Sequence, residues 1–372
     1  MRAEVKTFAD LETEVVSKGI CGACGGCVSF CSAGNLNALE QGADGLPCYA
    51  DEASCLSCGI CHMICPVTSE LLSEVRSRFG WRRPIGAYQA ISSARAADEA
   101  IRAVATDGGV VTALLLYMLD RRTIHGAVVS RRKGTFGREA TIAVHRDDLI
   151  AAAGSQFARM AQLEGFGEQY TTFCPTVSAV KGLARPGNVA LVGTPCQVNT
   201  VRKMQALSIV PADIISHVIG LFCMENFSFY APAGEKLAAE LGIGLADIAK
   251  LNIKEDVIVT VSDGSEVHVP FERMDGLARP ACLACTEFAN DFADISVGGL
   301  GSPQGYTTVL IRSDAGRRIY AEALRAGYIE ERGYRDGSEA AADRARMLAK
   351  VVALARRKQD RGGARLRQLG AA

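Results

Sequence analysis

Residues 21–31 read CGACGGCVSFC and residues 55–65 read CLSCGICHMIC, with Pro66 next. Cys21, Cys24, Cys27 and Cys31 therefore repeat the spacing of Cys55, Cys58, Cys61 and Cys65. Three thiolates at two-residue intervals wrap one corner of an iron-sulfur cube, and a fourth, set off by three residues, reaches across to the other cube. The spacing thus predicts one 4Fe-4S site on Cys21, Cys24, Cys27 and Cys65 and a second on Cys55, Cys58, Cys61 and Cys31. Two zinc knuckles are the alternative, but zinc sites use separated CxxC pairs and not two triplets. Ser32 stands where proline normally follows the fourth cysteine, which alters the turn and not the ligation. A two-cluster ferredoxin-like module over residues 1–80 follows. Its spacer, 32–54, carries Gly42, Gly45 and Pro47 and is expected to be a short hairpin, with Cys48 in it as a plain buried thiol.

The chain has 372 residues, 48% hydrophobic and 22% charged, which suits one small and one larger domain of an ordinary soluble protein. Lys plus Arg equals Asp plus Glu at 41 each, so nothing argues for nucleic acid. The balance is uneven, however. Residues 1–66 carry three basic and eight acidic side chains, and residues 340–372 carry nine basic and two acidic, the mark of a docking face or a solvated tail. Fourteen cysteines in this pattern imply a reducing compartment. The N-terminus lacks an apolar signal core, and no apolar run is long enough to span a bilayer. A cytoplasmic protein, at most peripheral to a membrane, is expected.

A polar helix over 69–79 and a linker at 81–84 lead to alternating strands and helices from residue 85, so the overall class is α+β: a ferredoxin module, then an α/β domain. A strand is expected over 86–94 and a short helix over 98–103. Asp107, Gly108 and Gly109 then stand at the mouth of an apolar helix, where free amides and the helix dipole can receive an anion; plain capping is the alternative. Residues 124–130 and 140–145 read as strands around a basic turn. VALVGTPCQVNTVRK (189–203) reads as strand, turn and helix, with Gly193, Thr194, Pro195 and Cys196 at the carboxyl end of the strand, where ligands settle in such sheets. Cys223 ends a further strand, and Cys282 and Cys285 form a CxxC. These four could build a third cluster, a zinc site, or be inert core thiols.

Alternating runs over 249–271 around Asp263-Gly264 predict a β-hairpin. The loop holding Gly298, Gly299, Gly301 and Gly305 lets backbone approach a planar or phosphorylated ligand, or simply closes a sheet edge. Residues after 339 repeat apolar positions at helical intervals, an amphipathic helix with a mobile last ten residues. The five histidines form no ligand spacing; His62, inside a cluster loop, is expected at the surface. No GxSxG, HExxH or Walker loop occurs, so no catalytic side chain is assigned and the chemistry must come from bound redox groups.

DGGVVTALLLYML (107–119), VGTPCQ (192–197), FCMEN (222–226), CLAC (282–285) and ADISVGGLGSPQGYTTV (293–309), in that order, resemble the FrhB/FdhB family. Its members are the beta subunits of coenzyme F420-reducing hydrogenase and F420-dependent formate dehydrogenase, some of which carry an N-terminal two-cluster module. The resemblance implies FAD in residues 85–339, with the deazaflavin against its ring; the basic helix or tail over 340–372 lies beyond it. It implies that Gly108, Gly109 and Thr112 hold the pyrophosphate, that the 193–196 turn lies near the flavin, and that Cys196, Cys223, Cys282 and Cys285 hold a third cluster. Arg159 stands where the family would place a lysine-tyrosine pair. Arg202, Lys203 and Lys254 are candidates for the anionic deazaflavin tail, with surface charge as the alternative.

A deazaflavin exchanges hydride and clusters carry single electrons, so FAD converts between them. The expected function is hydride exchange with coenzyme F420 and electron relay to or from the catalytic alpha subunit of a formate dehydrogenase or hydrogenase. A ferredoxin-dependent reductase of another organic substrate, as in the related chlorophyll-cycle enzyme, or a flavin-free relay are the other readings.

Overall fold

The computed structural model describes residues 5–133, 137–154, 188–227, 232–254 and 256–371. Arg159 and the tip of the basic turn at 134–136 lie outside the described residues.

The chain opens with α1 (Phe8–Leu11) and a π-turn over Glu12–Val16, whose buried Phe8, Leu11 and Val15 supply the small core of the first module. Next come α2 (Gly26–Ala33), the hairpin β1 (Leu39–Gln41) with β2 (Pro47–Tyr49), and α3 (Ile60–Met63). The two halves share one device. Gly25 and Gly59 sit in left-handed backbone at φ 77° and 75° and turn each cysteine loop into its helix, a conformation that side chains resist. The polar helix is α4 (Leu72–Arg78).

The linker is anchored, not free. Trp81 Nε1 donates to Asp291 Oδ2 at 2.6 Å, and the Arg312 guanidinium donates to the carbonyls of Ile85 and Ala87 at 2.7 and 2.9 Å. Beyond it run β3 (Ala90–Ala96), α5 (Glu99–Val104), α6 (Val110–Asp120), β4 (Gly126–Lys133), β5 (Gly137–Ala143), α7 (Arg146–Ala151), β6 (Val189–Gly193), α8 (Pro195–Ala206) and β7 (Ile215–Leu221). The remainder comprises α9 (Pro232–Leu241), β8 (Ile248–Ile253), β9 (Val257–Val261), β10 (Glu266–Val269), α10 (Phe271–Met274), α11 (Pro280–Leu283), β11 (Ile295–Gly298), β12 (Thr307–Ile311), α12 (Asp314–Arg325), β13 (Ile329–Glu331) and α13 (Gly337–Gln368).

The main sheet has the order β13-β3-β12-β11-β7-β6-β4-β5. Its central strands β11, β7, β6 and β4 are parallel, while the flanking pairs are antiparallel. Strands buried on both faces read as apolar runs, which is why VALVG and TTVLI lack alternation. Helix α6 is buried on nearly every side and packs with α12 on one face.

Two elements depart from expectation. The run 249–263 is not one strand: it breaks at Lys254, whose amide donates to the Asp256 carbonyl at 3.0 Å, so the hairpin becomes a three-stranded meander, β10-β9-β8. A turn without Gly or Pro leaves alternation almost undisturbed and escapes a pattern reading. Helix α13 continues to Gln368, well into the residues expected to be mobile. Leu366, Leu369 and Ala371 pack on the core of the first module, and Lys18 Nζ donates to the Gly370 carbonyl at 3.2 Å.

Candidate functional site

The described cysteines are all free thiols. In the first module their mutual electrostatics sort them into two sets. Burial pushes Cys31 up to about 11 and Cys61 up to about 12, and each is pushed further by Cys58 and Cys55. Burial pushes Cys65 up to about 12, with Cys24 and Cys21 adding to it. Cys27 is raised by burial and then by Cys24, Cys21 and Cys65, with Cys61 of the other set behind them. Cys21, Cys24, Cys27 and Cys65 line one small cavity, with Cys61 also at its wall, and Cys31, Cys55, Cys58 and Cys61 line another. Burial and mutual repulsion favour the neutral thiols here, so holding these groups as thiolates would take a cationic group among them.

A third set forms where α8, the end of β7 and α11 meet. Burial pushes Cys223 up to about 12, opposed by Lys358 and reinforced by Cys282 and Cys285. Burial raises Cys196, which also feels Cys24, Cys223 and Cys285. A Cβ added at Gly22 would lie 3.8 Å from Cys196 Sγ, so this set abuts the Cys21 loop. The four line a cavity of about 540 Å³. Among the described residues no three Cys, His, Asp or Glu side chains converge as ligands of a single ion. Thiolates arranged around a wider space suit a polynuclear group better than zinc.

Helix α13 closes this set. Lys358, 1% exposed, donates to the Cys223 carbonyl at 2.6 Å. Arg361 pairs with the buried Glu225 and donates to the Cys282 carbonyl at 3.4 Å. At Gly362 a Cβ would come within 2.4 Å of the Cys285 carbonyl oxygen, so only glycine lets the helix approach this closely.

A second cavity, of about 240 Å³, lies at the carboxyl ends of β6, β7 and β11. The amino ends of α6 and α8 open onto it through Gly109, Thr112, Thr194 and Gln197. Its apolar wall includes Leu115, Leu221, Phe222, Phe288 and Val297, and its polar rim includes Asn226, Asn252 and Lys254. An apolar slot beside two helix amino ends suits a flat ring carrying an anionic tail. Cys223 and Asn226 line both cavities.

Two family models match the chain: the coenzyme F420 hydrogenase/dehydrogenase beta subunit N-terminal model over residues 91–166 and its C-terminal counterpart over residues 187–336. Together they cover more than half of it. The chain belongs to the coenzyme F420 hydrogenase/dehydrogenase beta-subunit family. It is 33% identical to the coenzyme F420 hydrogenase subunit beta of Methanothermobacter thermautotrophicus over 253 residues, 66% of this chain and 85% of that one. The F420-dependent sulfite reductase of Methanocaldococcus jannaschii is 28% identical over 82% of this chain and 46% of its own. A solved chain from the F420-reducing NiFe hydrogenase complex of Methanosarcina barkeri matches with a TM-score of 0.64 and 28% identity, covering 77% of this chain and 94% of that one.

Within this beta-subunit frame, Gly109, Thr112, Gly193, Thr194 and Gly299 line the smaller cavity. Gly108, Pro195 and Gly301 do not: the Gly108 amide donates to Thr307 Oγ1 at 3.0 Å, Pro195 faces the cysteine cavity, and Gly301 packs on Met347. Two of the basic candidates for an anionic tail are neither at the cavity nor at the surface. Arg202 bonds the Phe292 carbonyl and Asp294, and Lys203, 0% exposed, donates to the carbonyls of Cys65 and Thr68 at 2.5 and 2.8 Å. His62 is also interior, not superficial, with Nε2 3.0 Å from Glu14 and Nδ1 3.3 Å from Glu70. All three look like surface residues in sequence because their partners lie in other segments: Phe292 and Asp294 for Arg202, Cys65 and Thr68 for Lys203, Glu14 and Glu70 for His62. Lys358 and Gly362 were missed for a similar reason, although paired glycines at 362–363 inside a helical run signal a close packing partner.

Proposed function

We propose that this chain exchanges hydride with coenzyme F420 at an FAD held in the smaller cavity and relays electrons through three 4Fe-4S sites to or from a catalytic partner, the alpha subunit of a formate dehydrogenase or hydrogenase. The observation that carries the reading is the shared wall: Cys223 borders both the slot suited to a ring and the cavity of the third cysteine set. When bound, FAD supplies the conversion between hydride and the single electrons that clusters carry.

The residues have distinct tasks in this reading. Gly109, Thr112 and Thr194 present helix amino ends to the pyrophosphate, while Leu221, Phe222 and Phe288 exclude water from the ring face. Cys196, Cys223, Cys282 and Cys285 hold the cluster nearest the flavin. Cys21, Cys24, Cys27 and Cys65 hold the next, since Cys196 and Cys24 are in electrostatic contact. Cys31, Cys55, Cys58 and Cys61 hold the outermost. There Cys58 is exposed beside Leu56 and Val5, 70% and 58% exposed, in a module with a net negative charge, so the partner would meet it with a basic or neutral face. No helix of the described residues is long and apolar enough to cross a membrane. A cytoplasmic setting belongs to the same reading, because the thiols must stay reduced.

The test is anaerobic quantification of FAD and iron, followed by oxidation of reduced coenzyme F420 with a dye acceptor. One FAD, about twelve irons and turnover are expected. FAD with no response to coenzyme F420 would move the substrate to another organic molecule; absence of FAD would remove the flavin reading altogether. A sharper check uses Gly299→Val. A Cβ there would lie 2.5 Å from Asp107 Oδ1, crowding the cavity wall, so FAD per chain should fall well below half while iron stays unchanged. Full FAD occupancy in the variant would place the ring elsewhere.

A further inference from the structure

We propose that Lys358 is an electrostatic positioning residue that raises the reduction potential of the cluster on Cys196, Cys223, Cys282 and Cys285, an inference that rests on reading this set as a cluster site. Of the other cations on that stretch of α13, Arg356, Arg357, Arg365 and Arg367 are exposed and Arg361 is half-buried and paired with Glu225, whereas Lys358 is 1% exposed. A buried ammonium is costly unless negative charge answers it. The Lys358 ammonium donates to the Cys223 carbonyl at 2.6 Å, and the residue lines the same cavity as Cys196, Cys223, Cys282 and Cys285.

The nearby carboxylates have other partners. Glu225 is paired with Arg361, and Glu287 accepts from the Asp291 amide at 2.6 Å. Arg279, half-buried, is a lesser neighbour of Cys282 than Lys358 is. The close approach of Gly362 to the Cys285 carbonyl fixes the helix, and with it the ammonium one turn away. A cluster held by these four thiolates would carry one more negative charge when reduced, and the buried Lys358 ammonium beside it would favour that state. Neither family model extends over 337–368, so the device lies outside the region that defines the family.

The experiment is an EPR-monitored redox titration of the full holoprotein and of Lys358→Gln, Lys358→Met and Lys358→Arg, with iron counted in each. Both neutral variants should keep about twelve irons and lower the midpoint of one cluster only, by about tenfold in electron affinity or ~59 mV for a one-electron couple. Lys358→Arg should hold it near the unsubstituted value. Unchanged midpoints in the neutral variants, or an arginine variant that behaves like them, would overturn the proposal. Loss of the cluster in both neutral variants would also overturn it, since the lysine would then be structural. About eight irons in the unsubstituted protein would overturn the reading of the third set itself, and this inference with it.

Discussion

Substituting Cys196 by alanine should remove about four of the twelve irons per chain, leave FAD in place, and reduce electron flow from reduced coenzyme F420 to the dye acceptor to background. The position explains why so small a change has so large an effect. Cys196 lies on the first turn of α8, raised by burial and in electrostatic contact with both Cys223 and Cys24. It is therefore the thiol of the third set that faces the Cys21 loop, where a Cβ at Gly22 would lie 3.8 Å from its Sγ. The two N-terminal clusters should still be visible by EPR, because their eight cysteines are untouched. Unchanged iron and unchanged turnover would remove Cys196 from the ligand set.

The largest loss of stability is expected from Arg312→Ala. Arg312 is 8% exposed and donates to the carbonyls of Ile85, Ala87 and Ala289 and to Ser296 Oγ. Burial pushes its guanidinium down, and Asp291 and Glu287 push it back up. Alanine would strand those acceptors and leave two buried carboxyl groups without their cation, a change of roughly 3–5 kcal/mol. Denaturant unfolding of the anaerobic holoprotein checks it: the midpoint should fall without a change in slope, and Arg312→Lys should recover part of the loss. A shift worth less than about 1 kcal/mol would mean that water or a neighbour replaces the guanidinium at little cost.

How legible the site was depended on how local its information is. The eight N-terminal cysteines follow a spacing that acts over eleven residues, so the two loops, and the proposal that each lends its fourth cysteine to the other, could be read from the sequence alone. Buried strands of the sheet were readable from apolar runs such as 189–193 and 307–311 for the same reason. Cys196, Cys223, Cys282 and Cys285 are spread over ninety residues, counted from 196 to 285, so their number left a cluster, a zinc site and inert thiols open and the family resemblance favoured the cluster. His62, Lys203 and Lys358 could not be recognised as interior at all. Each is a polar residue whose surroundings come from a segment far away in sequence, so nothing in its own neighbourhood marks it.

The placement of α13 has a consequence for how the protein is made. The chain leaves the ribosome amino end first, so both N-terminal cysteine sets emerge more than three hundred residues before Gln368, the end of the helix that caps the third set. Cys196, Cys223, Cys282 and Cys285 are thus all made before the helix that walls one side of their cavity, which docks with Gly362 against the Cys285 carbonyl and Lys358 on that of Cys223.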